Sequence, residues 1–397
     1  MISSKTLWGH SQFRRIFVST ASFTLGTQIY QLGMPLILYE LTQSAAAMTA
    51  MRAVELLPNL LLAMFIGVWV DRIDRGRWAR LAITGMVLLI GSQAYMLQQG
   101  AAALPFFFVT AFLLMTLNYL YAICRMGMLK EILPANLLLP ATAQLTVVGQ
   151  VFAVLGPALA GALMAWKLEL GLWLPMVAML LAAWLLRDLR LEKRSQSPGN
   201  FWADWREGWR VLVDNRPLWH MAWLVVLING SQGVVDVIFL FRARDQLQLG
   251  LGEVGLLYGL AGIGGVVGGL VCSRLRKRFG LGRLMAMELL LEAVCILLMA
   301  WSDSLPVLLL ALVGSSFGSV VGSVCIWGYR QESTDSRYIG RISGLTGSIF
   351  KLLMPVTLVL SGALSSSWPL AWLLSACAGA HLVTVVGTRL SAVYRVT

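Results

Sequence analysis

Apolar runs, each about as long as a bilayer is thick, recur along this chain and are joined by loops of only a few residues. They fall at about 13–40, 45–70, 81–99, 103–124, 140–165, 170–187, 217–241, 252–273, 284–301, 305–328, 342–363 and 367–390. A helix needs roughly 20 apolar residues to cross the hydrocarbon core. Lipid offers no hydrogen bonds to a backbone, so runs of this length can cross only as helices. Composition agrees: 58% of the 397 residues are hydrophobic and 13% are charged, against about 25% charged in soluble domains. The formal net charge of +12 would suit nucleic acid if it were spread over a surface. Here it is confined to alternate loops, which argues for a membrane and against nucleic acid.

The distribution of Lys and Arg orients the runs. Placing residues 1–12 in the cytoplasm puts 26 of the 31 Lys and Arg in or next to cytoplasmic loops. Lys167, Arg242 and Arg244 fall outside, and Arg52 and Lys351 fall within runs. Positive loops face the cytoplasm, so both termini are expected there, in the inner (cytoplasmic) membrane. Phe13-Arg14-Arg15 leads straight into a long first run, which is expected to be retained.

The chain is also doubled. Gly67-x-x-x-Asp71-Arg72 recurs as Gly269-x-x-x-Ser273-Arg274, 202 residues later; Gly149, Phe152 and Pro157 recur as Gly347, Phe350 and Pro355, 198 residues later. Weak symmetry of this kind marks transporters built from repeated halves. The expected fold is an all-α membrane protein with twelve transmembrane helices in two pseudo-symmetric six-helix bundles. Its parts are an N-terminal bundle (1–187), a cytoplasmic linker (188–216) and a C-terminal bundle (217–397). Within the linker Trp202, Trp205, Trp209 and Leu212 share a helical face, predicting a short helix on the inner membrane surface. A helix that binds a partner protein is the alternative.

The stretch 67–80, GVWVDRIDRGRWAR, resembles the signature loop of the major facilitator superfamily, Gly-x-x-x-Asp-Arg-x-Gly-Arg-Arg/Lys. The match falls on Gly67, Asp71, Arg72, Arg75 and Arg77, with Asp74 in place of the usual glycine. Other stretches resemble the branch of siderophore (enterobactin-type) and macrolide exporters. They are Tyr39-Glu40-Leu41-Thr42-Gln43-Ser44, Leu133-Pro134-Ala135-Asn136, and Gln331-Glu332 with Gly340-Arg341-Ile342. Gly156, Pro157 and Gly161 resemble the Gly-Pro-x-x-Gly-Gly motif associated with antiporters, with Ala160 replacing one glycine. The resemblance implies a proton antiporter that exports a small amphipathic or anionic molecule along a path between the halves. It also implies a gating role for Gly67, Asp71, Arg72, Arg75 and Arg77. The branch often has Gly-Asp in helix 1; this chain has Gly26-Thr27, so that carboxylate is missing.

Polar residues inside spans are costly and point to function by default. Arg52 and Glu55, three residues apart, can meet on one helix face; an ion pair, an outer gate and a proton-linked site are the readings. Asp236, near Asn229 and Gln232, is the leading proton-coupling candidate, with Glu55 and Arg52 behind it. Lys351 is a cation that could meet an anionic substrate or neutralise Asp236. Gln28, Gln31, Asn118, Tyr121, Gln144 and Gln150 complete the substrate-cavity candidates, each with helix packing as the alternative. Glu288 and Glu292 share a face of the ninth span, and a structural contact with the Arg-rich loop is expected there. The glycines of 259–269 permit close helix packing. Five scattered cysteines read as small apolar fillers, and His10, His220 and His381 suggest no metal site. No catalytic constellation, cofactor motif or metal-ligand spacing occurs, so an enzyme is not expected. A monomer exchanging a small molecule for protons is.

Overall fold

The computed structural model describes residues 4–70, 74–187, 201–334 and 338–396. Every regular element among them is helical. In order these are α1 (Ser4–Gly9), α2 (Ser11–Thr42), α3 (Ala45–Val70), α4 (Arg75–Met96), α5 (Leu104–Ile132), α6 (Ala135–Trp166), α7 (Leu170–Leu185), α8 (Phe201–Asp214), α9 (Arg216–Asp245), α10 (Leu251–Phe279), α11 (Leu281–Trp301), α12 (Leu305–Ser333), α13 (Ile339–Ile349), α14 (Met354–Leu364) and α15 (Leu370–Leu390). Ten segments among the described residues are long and apolar enough to cross a membrane. Of the twelve expected runs, α2 and α7 stand outside that set. Serines, threonines and glutamines dilute the apolar character of α2. The apolar α7 has 16 residues, about 24 Å of helix against a core of about 30 Å.

The chain divides into two compact units: residues 1–41 with 57–198, and residues 42–56 with 199–397. The first half of α3 therefore groups with the second unit.

In the first unit α2 lies close against α7. Ser19 Oγ donates to the Ala182 carbonyl at 2.9 Å and Ser22 Oγ to the Ala178 carbonyl at 2.6 Å. A methyl group on Gly26 would stand 3.1 Å from the Pro175 carbonyl oxygen. Gln93, fully buried, ties α4 to α5 and α2 by donating to Thr110 Oγ1 (2.9 Å) and Tyr30 Oη (3.2 Å). Arg80 caps α7, donating to the Arg187 carbonyl at 2.6 Å.

In the second unit α10 packs along α12, and α11 against α12 and α15. The glycine run does what its composition implies. A methyl on Gly268 would lie 2.7 Å from the Phe317 carbonyl oxygen, and one on Gly264 would collide with that of Val313. Leu212 of α8 is buried in the core formed by Leu218, Met221, Leu284, Val321 and Phe350. The α8 indoles form a ladder with those of α9: Trp205–Trp209, Trp209–Trp219 and Trp219–Trp223 all have ring centres 5.7 Å apart. Trp205 and Trp209 stay exposed. The eleventh run is long and apolar enough to cross over Gly344–Leu364, as expected, but it is not one continuous helix. That run breaks after Ile349 and restarts at Met354, next to Pro355, which cannot donate a helical hydrogen bond.

Candidate functional site

The polar groups of the second unit converge where the first half of α3 meets α9 and α10. Arg52 Nη1 lies 2.8 Å from Glu55 Oε2, so these two do share a face. The Glu55 side chain is 3% exposed and that of Arg52 is 29% exposed. The second Glu55 oxygen, Oε1, is buried with no hydrogen-bond partner. Arg52 interacts electrostatically with Asp236 and with Tyr258. The Asp236 carboxylate is exposed, accepts from Gln232 Nε2 at 3.1 Å, and stands beside Tyr258, whose hydroxyl donates to the Asp236 carbonyl at 3.3 Å. Asp236 lies nine residues before the end of α9. An exposed carboxylate at that depth needs water or a polar path, since lipid would not tolerate it. The cation acting on it is Arg52, and no ion pair joins Lys351 to it among the described residues.

Lys351 sits in the break between α13 and α14, half-buried. Backbone inside a span must find partners. The N–H groups of Lys351, Leu352 and Met354 bond back to the Ser348, Ile349 and Lys351 carbonyls. Helix α9 supplies a partner for the Phe350 carbonyl and is itself tied to α14. Asn229 Nδ2 donates to the Phe350 carbonyl at 3.0 Å, and Thr357 Oγ1 donates to the Gly230 carbonyl at 2.7 Å. Asn229 is therefore engaged in holding the break together.

In the first unit, Arg75 Nη1 of α4 reaches Glu131 Oε1 at the end of α5, 2.5 Å away. The Arg77 backbone N–H donates to Asp74 Oδ1 at 2.9 Å, which makes Asp74 the N-cap of α4 and gives a reason for an acid where the family pattern has glycine. Asp71 and Arg72 lie outside the described residues, as do the surroundings of Gly67 and the side chain of Gln150. A methyl on Gly156 would press 2.5 Å from Gln28 Cβ, so Gly156 lets α6 approach α2. Gly161 is buried and Pro157 half-buried in the same helix. Tyr121 is buried with its ring 4.3 Å from that of Phe23. Asn118 makes one weak contact, with Met115 Sδ at 3.8 Å. Gln31 is half-buried, and Gln144 has a buried, unpartnered Oε1.

Two partners escaped the sequence. Glu131 and Glu332 are each 56 residues after the arginine they pair with, Arg75 and Arg276. Arg276 holds Glu332 through two bonds, of 2.9 and 2.5 Å. The repeat offset was the available signal: both members shift by 201 residues between the units. The structure also corrects the expected contact of Glu288 and Glu292 with the Arg-rich loop. Glu292 instead pairs with His381 of α15 at 2.9 Å, because α11 and α15 pack side by side at that depth.

The fold is that of solved transporters. A bacterial homologue of the iron transporter ferroportin, in its inward-facing state, superposes with a TM-score of 0.73 at 17% identity, covering 95% of this chain and 97% of that one. The nucleoside transporter NupG gives 0.75 at 9% identity, covering 95% and 98%. A bacterial metal transporter gives 0.62 at 19% identity, covering 95% and 97%. No curated protein matches the chain. The sequence model of the Major Facilitator Superfamily matches residues 16–357. The match spans most of the chain and joins helical spans, a repeated arginine–glutamate pair and a transporter fold: this is a multi-pass membrane transporter for a small molecule, not an enzyme, and it belongs to the Major Facilitator Superfamily.

Proposed function

We propose that the chain is a secondary exporter that moves a small amphipathic or anionic molecule outward in exchange for protons. The observation that carries this reading is the Asp236 carboxylate, exposed within α9 beside Arg52 and Gln232. A carboxylate that can lose and regain a proton as its surroundings change is what antiport requires. The exporter-like stretches from Tyr39 to Ser44 and from Gln331 to Ile342 support a siderophore as the first substrate class and a macrolide-like drug as the second. Lysophospholipid flipping and a sensor or scaffold role are the rivals. Two of the structural neighbours are described as iron or metal transporters. At their identity they support only the fold, and no group of three metal-ligating side chains occurs among the described residues.

In the same reading the chain lies in the inner membrane as a monomer. It has twelve spans in two six-helix bundles, cytoplasmic termini, and the loop from Gly67 to Arg77 as a gating element. Everted membrane vesicles carrying a pH-sensitive dye test the reading. Adding a catecholate siderophore should release protons from vesicles that contain the protein and not from those that lack it. Proton release by a macrolide alone would select the drug reading. Silence with every compound would leave the scaffold.

A further inference from the structure

Glu292, His381 and Ser231 form a hydrogen-bonded chain inside the second unit, closed off from its surface. The side chains of Glu292 and His381 are 2% and 0% exposed, and Ser231 is buried. Glu292 Oε2 lies 2.9 Å from His381 Nε2. On the other side of the ring, His381 Nδ1 lies 3.0 Å from the Cys377 carbonyl oxygen and 3.3 Å from Ser231 Oγ. The other Glu292 oxygen, Oε1, is buried with no hydrogen-bond partner. One turn earlier, Glu288 is buried under Gly322 and makes no hydrogen bond or ion pair among the described residues.

The partners of Nδ1 assign the ring tautomer. The Cys377 carbonyl oxygen only accepts, and the Ser231 hydroxyl directs its own hydrogen to the Leu227 and Ile228 carbonyls at 3.0 and 2.9 Å. Both groups facing Nδ1 are therefore acceptors, and the hydrogen is assigned to Nδ1. The ring's other nitrogen then has a hydrogen only if the imidazole is doubly protonated. The 2.9 Å contact between Nε2 and Oε2 is a hydrogen bond only when one proton lies on it. That proton is carried either by the imidazolium, with Glu292 as carboxylate, or by the Glu292 carboxyl, with a neutral ring. Without it, a nitrogen lone pair would face a carboxylate oxygen in a dry interior, where uncompensated charge is costly.

We propose that Glu292 and His381 are a proton-binding site of this protein, separate from the Asp236 cluster and taking H⁺ as its only ligand. The proton sits between Oε2 and Nε2 and can shift from one to the other without leaving the pair. The titratable groups facing it are Glu288 and Cys295 from α11 and Cys377 from α15. Cys325 of α12 lies opposite Glu288. Asp236 of α9 interacts with Glu292 through space. No Lys or Arg pairs with either glutamate among the described residues. Loading or emptying the pair therefore acts on Asp236 through the field between them. This functional half rests on the proton-coupled reading of Asp236; the binding site itself does not.

The test is an infrared titration of the purified full-length protein in H₂O and D₂O. The wild type should show an exchangeable proton whose carboxyl and imidazole bands disappear together in Glu292→Gln. His381→Gln, which can still donate to the carboxylate but cannot take up a proton from it, should lose the imidazole band and move the carboxyl one. Asp236→Asn should keep both bands. Identical spectra for wild type and His381→Gln would overturn the proposal, and that variant decides if Glu292→Gln does not fold. Proteoliposome flux under a pH gradient is the separate arm. If flux ignores the gradient while the bands remain, proton coupling fails and the site stands.

Discussion

Arg75 and Glu131 meet at 2.5 Å in the first unit, with side chains 18% and 14% exposed. Arg276 and Glu332 repeat that pair in the second unit at the same separation of 56 residues, but Glu332 is 59% exposed. The two pairs should therefore differ in strength. A hydrogen bond to a charged group contributes about 1.5–3 kcal/mol when shielded, and an exposed ion pair under about 1 kcal/mol. Double-mutant cycles with Arg75→Ala and Glu131→Ala, followed by thermal unfolding in detergent, should give a coupling near the lower end of the first range. The cycle with Arg276→Ala and Glu332→Ala should give less. Equal couplings would show that exposure does not set the strength of these pairs.

The helix contact at Gly264 gives a sharper steric prediction. An added methyl there meets the Val313 carbonyl, which is backbone and cannot swing aside, whereas at Gly269 it meets only Val320 Cγ1 at 3.7 Å. Gly264→Ala should destabilise the second unit by about 1–3 kcal/mol, the usual cost of overpacking. Gly269→Ala should leave the melting temperature within error of wild type. A neutral Gly264→Ala would mean that α10 and α12 can separate without loss.

Asn229 carries a different cost. Removing its amide leaves the Phe350 carbonyl unpaired within a span, a penalty of about 1–3 kcal/mol. Asn229→Ala should lower thermal stability and increase hydrogen exchange around residues 349–353. Thr357→Val should lower it less, because the Gly230 carbonyl still receives its helical bond. Unchanged exchange in Asn229→Ala would place the support of the break elsewhere.

Transport variants address the coupling reading. Asp236→Asn should keep substrate binding measurable while efflux stops responding to the pH gradient. Lys351→Ala should weaken binding of an anionic substrate more than that of a neutral one. Full gradient-driven efflux by Asp236→Asn would move attention to Glu55, whose Oε1 lacks a partner. Asp71→Asn should slow transport at normal expression, and normal rates would remove the gating role of the loop.

Much of this protein was readable in advance because lipid imposes one dominant rule. Long apolar runs had to be helices. The glycines of 259–269 permitted close packing and Arg52 was within reach of Glu55 across one turn, and the structure shows both contacts made. Contacts set by tertiary packing were not readable. His381 lies 89 residues from Glu292, and nothing local in either segment names the other. The break at Lys351 was half-visible: Pro355 signals it, but the matching Pro157 sits in an uninterrupted α6. Proline allows a break without requiring one; the side chains of Asn229 and Thr357 tip the balance. Arg242, an outlier to the charge rule, proves to cap α11 through the Met299 carbonyl at 2.6 Å and Asp303 at 2.7 Å.

Cutting one span into two eleven-residue helices also changes it electrically. A helix carries about half a negative charge at its C-terminus and half a positive one at its N-terminus. In an unbroken span those ends lie at the two faces of the membrane, and the middle is electrically silent. Here the negative end of α13 and the positive end of α14 fall inside the apolar layer, a few residues apart. Lys351 stands two residues beyond the last residue of α13, where a cation is favoured. The carbonyl end of α13 attracts its charge and the amide end of α14, three residues on, opposes it, so a lysine that pairs with no carboxylate among the described residues stands where two opposed half-charges meet.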